Sequence, residues 1–390
     1  MTTLMPTVRE ATWNERASTL AMFLTLGLAV GTWAAALPGL KSELGLSDRD
    51  LSFALLALAI GSVGSTIATG IIAPRFGTGR STGVSALAMV VAFALPAFAS
   101  SYVQLLISAL LMGITTGALD ISVNGHASDV ERRWTSPIMS SFHAAFSLGG
   151  LVGAAFGGFL AGAGWQVAGQ IFGPLLLAAL VAVAAMPWLG SGARHTDKPE
   201  ITFAMPERSM LGLCAVVLFC FLIEGAMADW SAVYLATVTQ SSPAIAATGY
   251  AAFSIAMATG RVVGDGIVTA LGPKRVVLFG GLLAATGMGL AVAFPDPLVA
   301  AIGFALVGAG AANIVPVVFS AAGRYGSSPS AGVAMVATVG YAGFLGGPPI
   351  IGFVASVGGL RLALGLLVVA AVLVAVGGLG LDRGGKAASS

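Results

Sequence analysis

Five ionisable side chains interrupt otherwise apolar stretches of this chain: Asp120, Glu224, Asp229, Arg261 and Asp265. Placing such a group at the centre of a helix in hydrocarbon costs about 2.5–3.5 kcal/mol on insertion scales. They are therefore expected to face a water-filled cavity or a partner, where they handle solute or protons. The competing reading is a structural ion pair, or a group near the interface whose charged end reaches water. The stretch FCFLIEGAMADWSAVYL, residues 219–235, holds two of the acids. Glu224 lies close to the middle of its apolar run. A carboxyl that is neutral in one facing state and charged in the other would couple protons to transport. Asp229 lies about 140° around the same helix and nearer its outer end. It is expected either to contact solute or to hold the outer part of that helix.

The other polar groups divide in the same way. Asp120 and Asn124 are four apart, hence on one helix face; Asp120 is a candidate for proton handling and Asn124 for solute contact. His143 is a proton candidate because imidazole titrates near neutrality, against the alternative of a packed, hydrogen-bonded ring. His126 reads as an interfacial residue. Arg261 and Asp265, four apart, are expected to pair along one helix. Asn313 is either a solute contact or an interhelical hydrogen bond. Trp33 and Trp230, in corresponding apolar segments, join the solute candidates.

The elements that must position these groups are membrane spans. Of 390 residues, 57% are hydrophobic and 9% charged, far below the roughly one quarter charged in soluble domains. Apolar runs long enough to cross a ~30 Å hydrocarbon core recur throughout. Reading them between polar breaks gives twelve spans, near 17–40, 50–72, 81–100, 102–126, 138–163, 166–189, 209–239, 243–270, 275–294, 297–323, 329–355 and 358–380. The polar, mixed-charge residues before the first span do not resemble a cleavable signal. A net charge of +2 without a basic cluster offers nothing to nucleic acid. Cys214 and Cys220, about 240° apart around one helix, cannot pair with each other.

Orientation follows from the basic residues. Fourteen of the eighteen Lys and Arg residues fall at the termini and the even-numbered connections, and three (Lys41, Arg49 and Arg361) in the odd-numbered ones. The positive-inside rule then predicts both termini in the cytoplasm. The longest polar stretch, Gly190 to Arg208, is expected to be a cytoplasmic linker. It divides the chain into two six-helix bundles, 1–189 and 209–390. The halves correspond at a shift of 195 residues: Arg75-Phe-Gly77 with Ala270-Leu-Gly272, and Gly113 with Gly308. Two parallel repeats predict a solute site at their interface near the bilayer midplane.

These features resemble the major facilitator superfamily over essentially the whole length. Its loop signature is matched by Gly70, Arg75, Gly77 and Arg80 after span two, with Pro74 where the family usually has Asp. A second copy runs from Gly260 to Arg275. The segment Ile138-Met-Ser-Ser-Phe-His-Ala-Ala-Phe-Ser-Leu-Gly-Gly150, with Glu224-Gly-Ala-Met-Ala-Asp-Trp230, is similar to the bacterial branch related to fucose permeases. The resemblance implies an all-α membrane protein of two pseudo-symmetric six-helix bundles. It also implies alternating access by rocking of those bundles, usually driven by a proton gradient. It places Arg75, Arg80, Arg261 and Asp265 near the cytoplasmic gate. Residues 17–40 lack the acid that fucose-type permeases carry in span one. In span five, Gly149, Gly153, Gly157 and Gly158 resemble the family's antiporter signature, with Ala154 in place of its proline. Pro348 and Pro349 follow a related glycine pattern in span eleven and should kink it.

The expected function is secondary active transport of a small polar, sugar-like solute across the inner membrane, with proton symport. The alternative is a proton-driven exporter of a drug or metabolite. A receptor would bind solute without flux. An enzyme is disfavoured, because no His, Cys, Asp and Glu group has metal-ligand spacing and no phosphate loop is present. No cofactor or metal is expected. The partners are the solute, protons and the lipid bilayer, and the chain is expected to act as a monomer.

Overall fold

The computed structural model describes residues 10–134, 138–190, 210–323 and 329–380, excepting the side chains at 67, 70, 71, 73, 74, 140, 265, 329–331, 333 and 334. All but the first residue of the expected linker at 190–208 lie outside the described residues, as do Arg9, Arg194, Lys198, Arg208, Arg324, Arg383 and Lys386 of the charge argument. The described residues form helices and no strand. In chain order these are α1 (Trp13–Glu43), α2 (Asp48–Phe76), α3 (Thr78–Ala94), α4 (Tyr102–Arg132), α5 (Met139–Gly162) and α6 (Val167–Ala185). Then come α7 (Leu211–Thr237), α8 (Pro243–Val262), α9 (Gly264–Leu271), α10 (Pro273–Ala293), α11 (Pro297–Ala311), α12 (Ile314–Ala322) and α13 (Pro329–Gly378).

Among the described residues, nine helices are long and apolar enough to cross a membrane. The expected spans two and eight correspond to α2 and to α8 with α9. The fifty-residue α13 covers spans eleven and twelve and bends at Gly359, whose φ of 80° is accessible to glycine without strain. The expected spans eight and ten are each broken, between α8 and α9 at Val263 and between α11 and α12 at Asn313. Pro348 and Pro349 lie within continuous helix.

Helix starts follow from local chemistry. Thr12 and Glu15 cap α1 reciprocally, and Ser47 and Asp50 do the same for α2. Glu131, from the end of α4, accepts hydrogen bonds from the backbone N–H groups of Ile138 and Met139 at 2.7 and 2.6 Å, covering the start of α5. A carboxylate there satisfies orphan donors and complements the helix dipole.

Without a hydrophobic force between helices in lipid, close approach depends on small residues. A Cβ at Gly113 of α4 would lie 1.9 Å from the Leu58 carbonyl oxygen of α2; one at Gly308 of α11 would lie 2.3 Å from that of Phe253 in α8. Both members of each contact are related by the same 195-residue shift. A second pair repeats almost in step: Gly149 of α5 against the Leu24 carbonyl, and Gly343 of α13 against that of Leu218. The α2–α3 and α9–α10 turns are likewise matched, by Gly77 at φ 90° and Gly272 at φ 77°. The internal repeat is thus written in backbone contacts as well as in letters.

Within the first half α1 packs on α5, and α2 on α4; within the second α7 packs on α13, and α8 on α11. Across the halves α5 meets α8, α2 meets α13, and α1 meets α7 and α8. Tight cross-half contacts occur where Gly158 faces Ala247, Gly162 faces Ala244, and Gly352 faces Ser52. These residues all lie toward the ends that carry the odd-numbered connections.

Candidate functional site

The polar groups of the apolar runs converge from both halves. Glu224 is near the midpoint of α7, and Arg261 lies in the last turn of α8, two residues before the break at Val263. Arg261 Nη2 lies 3.7 Å from Glu224 Oε2, and the two side chains are 16% and 17% exposed. The separation is that of an ion pair beyond direct hydrogen-bond distance. Cys220, one turn earlier on α7, directs its thiol toward Glu224 Oε1 at 3.6 Å.

The expected Arg261–Asp265 pair spans the end of α8. A continuous helix would stack the two residues, but α8 stops at Val262 and Val263 adopts φ −91°, ψ 1°. Arg261 meets Glu224 of the neighbouring helix. The side chain of Asp265 lies outside the described residues.

Asn313 is tied to the same break. Its Nδ2 donates to the Gly260 carbonyl oxygen at 3.0 Å, joining the end of α8 to the start of α12. A backbone acceptor near a helix break loses its usual partner, and the amide supplies one. A Cβ at Gly264 would lie 2.1 Å from Asn313 Oδ1, so the contact is closely fitted. Of the two roles open to Asn313, the interhelical hydrogen bond is the one present here.

From the first half, α5 brings His143 within electrostatic range of Arg261, and its ring meets that of Phe23 edge-on at 5.3 Å. On α4, Asn124 Nδ2 donates to Asp120 Oδ1 at 3.0 Å and to the Asp120 carbonyl at 2.8 Å. Asp120 acts electrostatically on Tyr341 of α13, so this acid and phenol approach from opposite halves. Tyr341 belongs to an aromatic group with Phe221 at 5.8 Å, and Phe221 lies 4.7 Å from Phe344. On α8, the Tyr250 hydroxyl feels the charges of Arg261, Glu224 and Asp229 and bonds to Ser254. Asp120, Asn124, His143, Glu224, Asp229, Arg261 and Tyr341 are all partly accessible despite their positions inside long apolar helices. Together they form a polar region, the polar space between the halves, joined by the Glu224–Arg261 pair and the cross-half charge interactions.

Asp229 differs from Glu224 in having no hydrogen bond or ion pair among the described residues. Trp33 and Trp230 are 5% and 0% exposed, and each indole N–H lacks a partner among the described residues. They sit in the packing behind the polar space in this conformation. Arg75 and Arg80 are exposed on either side of the α2–α3 turn, away from that space. His126 is fully buried against other helices. Its Nδ1 lies 3.2 Å from Thr78 Oγ1, which also donates to Asp129 Oδ2 at 2.7 Å. The span-five glycines pack α5 on α1 and on α8, so their role here is close helix contact.

Sequence reasoning missed Cys220, Tyr250 and Tyr341. Cys220 was legible through its four-residue spacing from Glu224. The two tyrosines had no local signal, since their roles depend on helices distant in sequence.

The Major Facilitator Superfamily model matches residues 19–325. An uncharacterized MFS-type transporter of Yersinia pestis is 35% identical over 373 residues, covering 95% of this chain and 96% of that protein. Membrane protein MosC of Rhizobium meliloti is 32% identical, covering 93% of this chain and 88% of its own length. Among solved structures, a bacterial homologue of the human lysosomal transporter Spinster, inward-facing and unoccupied, superposes with a TM-score of 0.72 at 15% identity over 95% of this chain and 97% of that one. The nucleoside transporter NupG superposes with a TM-score of 0.69 at 12% identity over 95% and 100%. At these identities the structural likeness establishes the fold alone.

Proposed function

The chain belongs to the major facilitator superfamily, and from that premise we propose that it carries a small polar, sugar-like solute across the inner membrane by alternating access, in symport with protons through Glu224. The assignment of bundles to 1–189 and 209–390, joined by a cytoplasmic linker, is part of this proposal. So are the cytoplasmic termini and the kinship with the fucose-permease branch.

The observation that carries the proposal is the Glu224–Arg261 pair. Glu224 lies mid-helix and Arg261 at the end of α8; both are partly accessible and stand 3.7 Å apart without a direct hydrogen bond. A proton arriving on Glu224 removes one charge of the pair and frees Arg261, whose field also reaches His143 in the other half. Loss of that proton restores the attraction. A change in one charge is thereby transmitted to a residue beside the α8 break and facing the opposite half. Ligands shift such equilibria only through unequal interactions with the two states, and this pair supplies an inequality between protonated and deprotonated forms.

Asp120, with Asn124, and His143 are the further proton candidates; Asn124 and Asp229 are the polar contacts assigned to solute. Tyr341 and Phe221 offer rings against which an apolar sugar face can pack. Trp33, Trp230 and Asn313 support the site from behind. Arg75, Arg80 and Asp265, with Arg261, are assigned to the cytoplasmic gate.

A thermal-shift screen of the purified protein against sugars, organic acids, nucleosides and drugs identifies a solute, since a ligand favouring the folded state stabilises it. That solute is then tested in proteoliposomes. Movement down an imposed proton gradient supports symport. Movement against it establishes exchange and overturns the symport proposal, while binding without flux identifies a receptor.

A further inference from the structure

A cavity of about 360 Å³ lies outside the polar space, between α2, α3 and α4. Ile72, Phe76, Arg80, Val84, Ser85 and Ser122 contribute to its lining. Ile72, Phe76 and Val84 are exposed, so the wall is apolar and open at the helix surface. Two features of this cavity are not explained by packing. Arg80, in the first turn of α3, has no ion pair or hydrogen bond among the described residues. Ser122 is only 1% exposed, yet its hydroxyl has no partner among the described residues. Helical hydroxyls elsewhere in α4 bond back to the preceding turn, as Ser108 does to Gln104 and Thr116 to Met112. Ser122 does not, and buried hydroxyls are ordinarily paired.

The internal repeat provides a comparison within the same chain. A second cavity, of about 440 Å³, lies at the α9–α10 turn and is lined by Leu271, Gly272, Arg275 and Phe279, among others. Leu271, Arg275 and Phe279 correspond to Phe76, Arg80 and Val84 at the 195-residue shift. The basic group and apolar wall are therefore common to both halves. The hydroxyls are not: the positions equivalent to Ser85 and Ser122 are Gly280 and Val317.

We propose that the α2–α3–α4 cavity binds one molecule of an anionic phospholipid. Its phosphate sits at Arg80 and the start of α3, its ester carbonyls accept from Ser122 and Ser85, and an acyl chain covers Ile72, Phe76 and Val84. An arginine with a free guanidinium matches a phosphate by charge and geometry. Acceptors set back from that phosphate are what an unpartnered hydroxyl in a lipid-facing cavity requires. Among the described residues, no acidic side chain lines the cavity to oppose the anion. The matching cavity carries two basic groups, Lys274 and Arg275, but no hydroxyl among its described lining residues, so it holds an anionic head by charge without recognising the esters.

Native mass spectrometry of the purified full chain, titrated with phosphatidylglycerol or phosphatidylcholine of identical acyl chains, tests this. One phosphatidylglycerol molecule is expected to bind about tenfold more tightly than phosphatidylcholine. Arg80→Gln removes that preference, and Ser122→Ala weakens phosphatidylglycerol by several-fold while the protein remains folded. Arg275→Gln leaves the tight site intact. Equal binding of both lipids, insensitivity to Ser122→Ala, loss on Arg275→Gln, or displacement of the lipid by inorganic phosphate alone would each overturn the proposal.

Discussion

Substituting the two members of the Glu224–Arg261 pair, singly and together, should expose their coupling. Two unit charges 3.7 Å apart attract by about 4–5 kcal/mol at an effective dielectric near 20. Both side chains keep some exposure, so solvent screens the pair. Desolvation of each charge offsets part of the attraction. These reductions leave a net coupling of about 2 kcal/mol. Glu224→Gln and Arg261→Gln should each cost about that much, because each leaves the other charge without its partner. The double variant should cost about 2 kcal/mol rather than about 4, since it removes both charges at once. Reversible denaturant unfolding in mixed micelles reads these differences. Additivity of the two single costs within about 0.5 kcal/mol would refute the pairing. Coupling of Arg261→Gln to Asp265→Asn instead would return the arginine to its sequence-adjacent partner.

Asn313→Ala should cost about 1–3 kcal/mol by orphaning the Gly260 carbonyl, and hydrogen exchange should rise around the α8–α9 break; unchanged protection would contradict the tie. Gly113→Val and Gly308→Val should each lower thermal stability by at least about 1–3 kcal/mol, because their side chains meet a facing carbonyl. The two effects should be similar if the repeat is energetic as well as geometric. Glu131→Ala should cost about 1 kcal/mol by uncovering the start of α5, measured as faster exchange of the Ile138 and Met139 amides.

Hydropathy made the helices legible because a bilayer imposes a minimum apolar length on every span. The repeat was legible in Gly113 and Gly308, whose contacts later proved to be equivalent carbonyls. The candidate site was legible as a set of costly charges, but its pairings were not. Arg261 and Asp265 have helical spacing, but α8 breaks between them at Val263, and the approach of Arg261 to Glu224 of another helix had no local signal. No proline marks the break; Gly260 and Gly264 are its sole local trace, and glycines abound in this chain. Asn313 carried two possible roles until its distance to Gly260 separated them. Glu224 and Asp229 do have different neighbours, as their angular separation implied. That one meets an arginine and the other meets none depended on where α8 places its side chains.

The most direct test of the central claim uses proteoliposomes in weakly buffered medium and the solute found by thermal-shift screening. Adding that solute outside should alkalinise the medium as protons enter with it. Glu224→Gln should abolish this proton movement while retaining solute counterflow, which needs no net proton transfer. Proton uptake undiminished in Glu224→Gln, or acidification on solute entry, would contradict proton symport through Glu224.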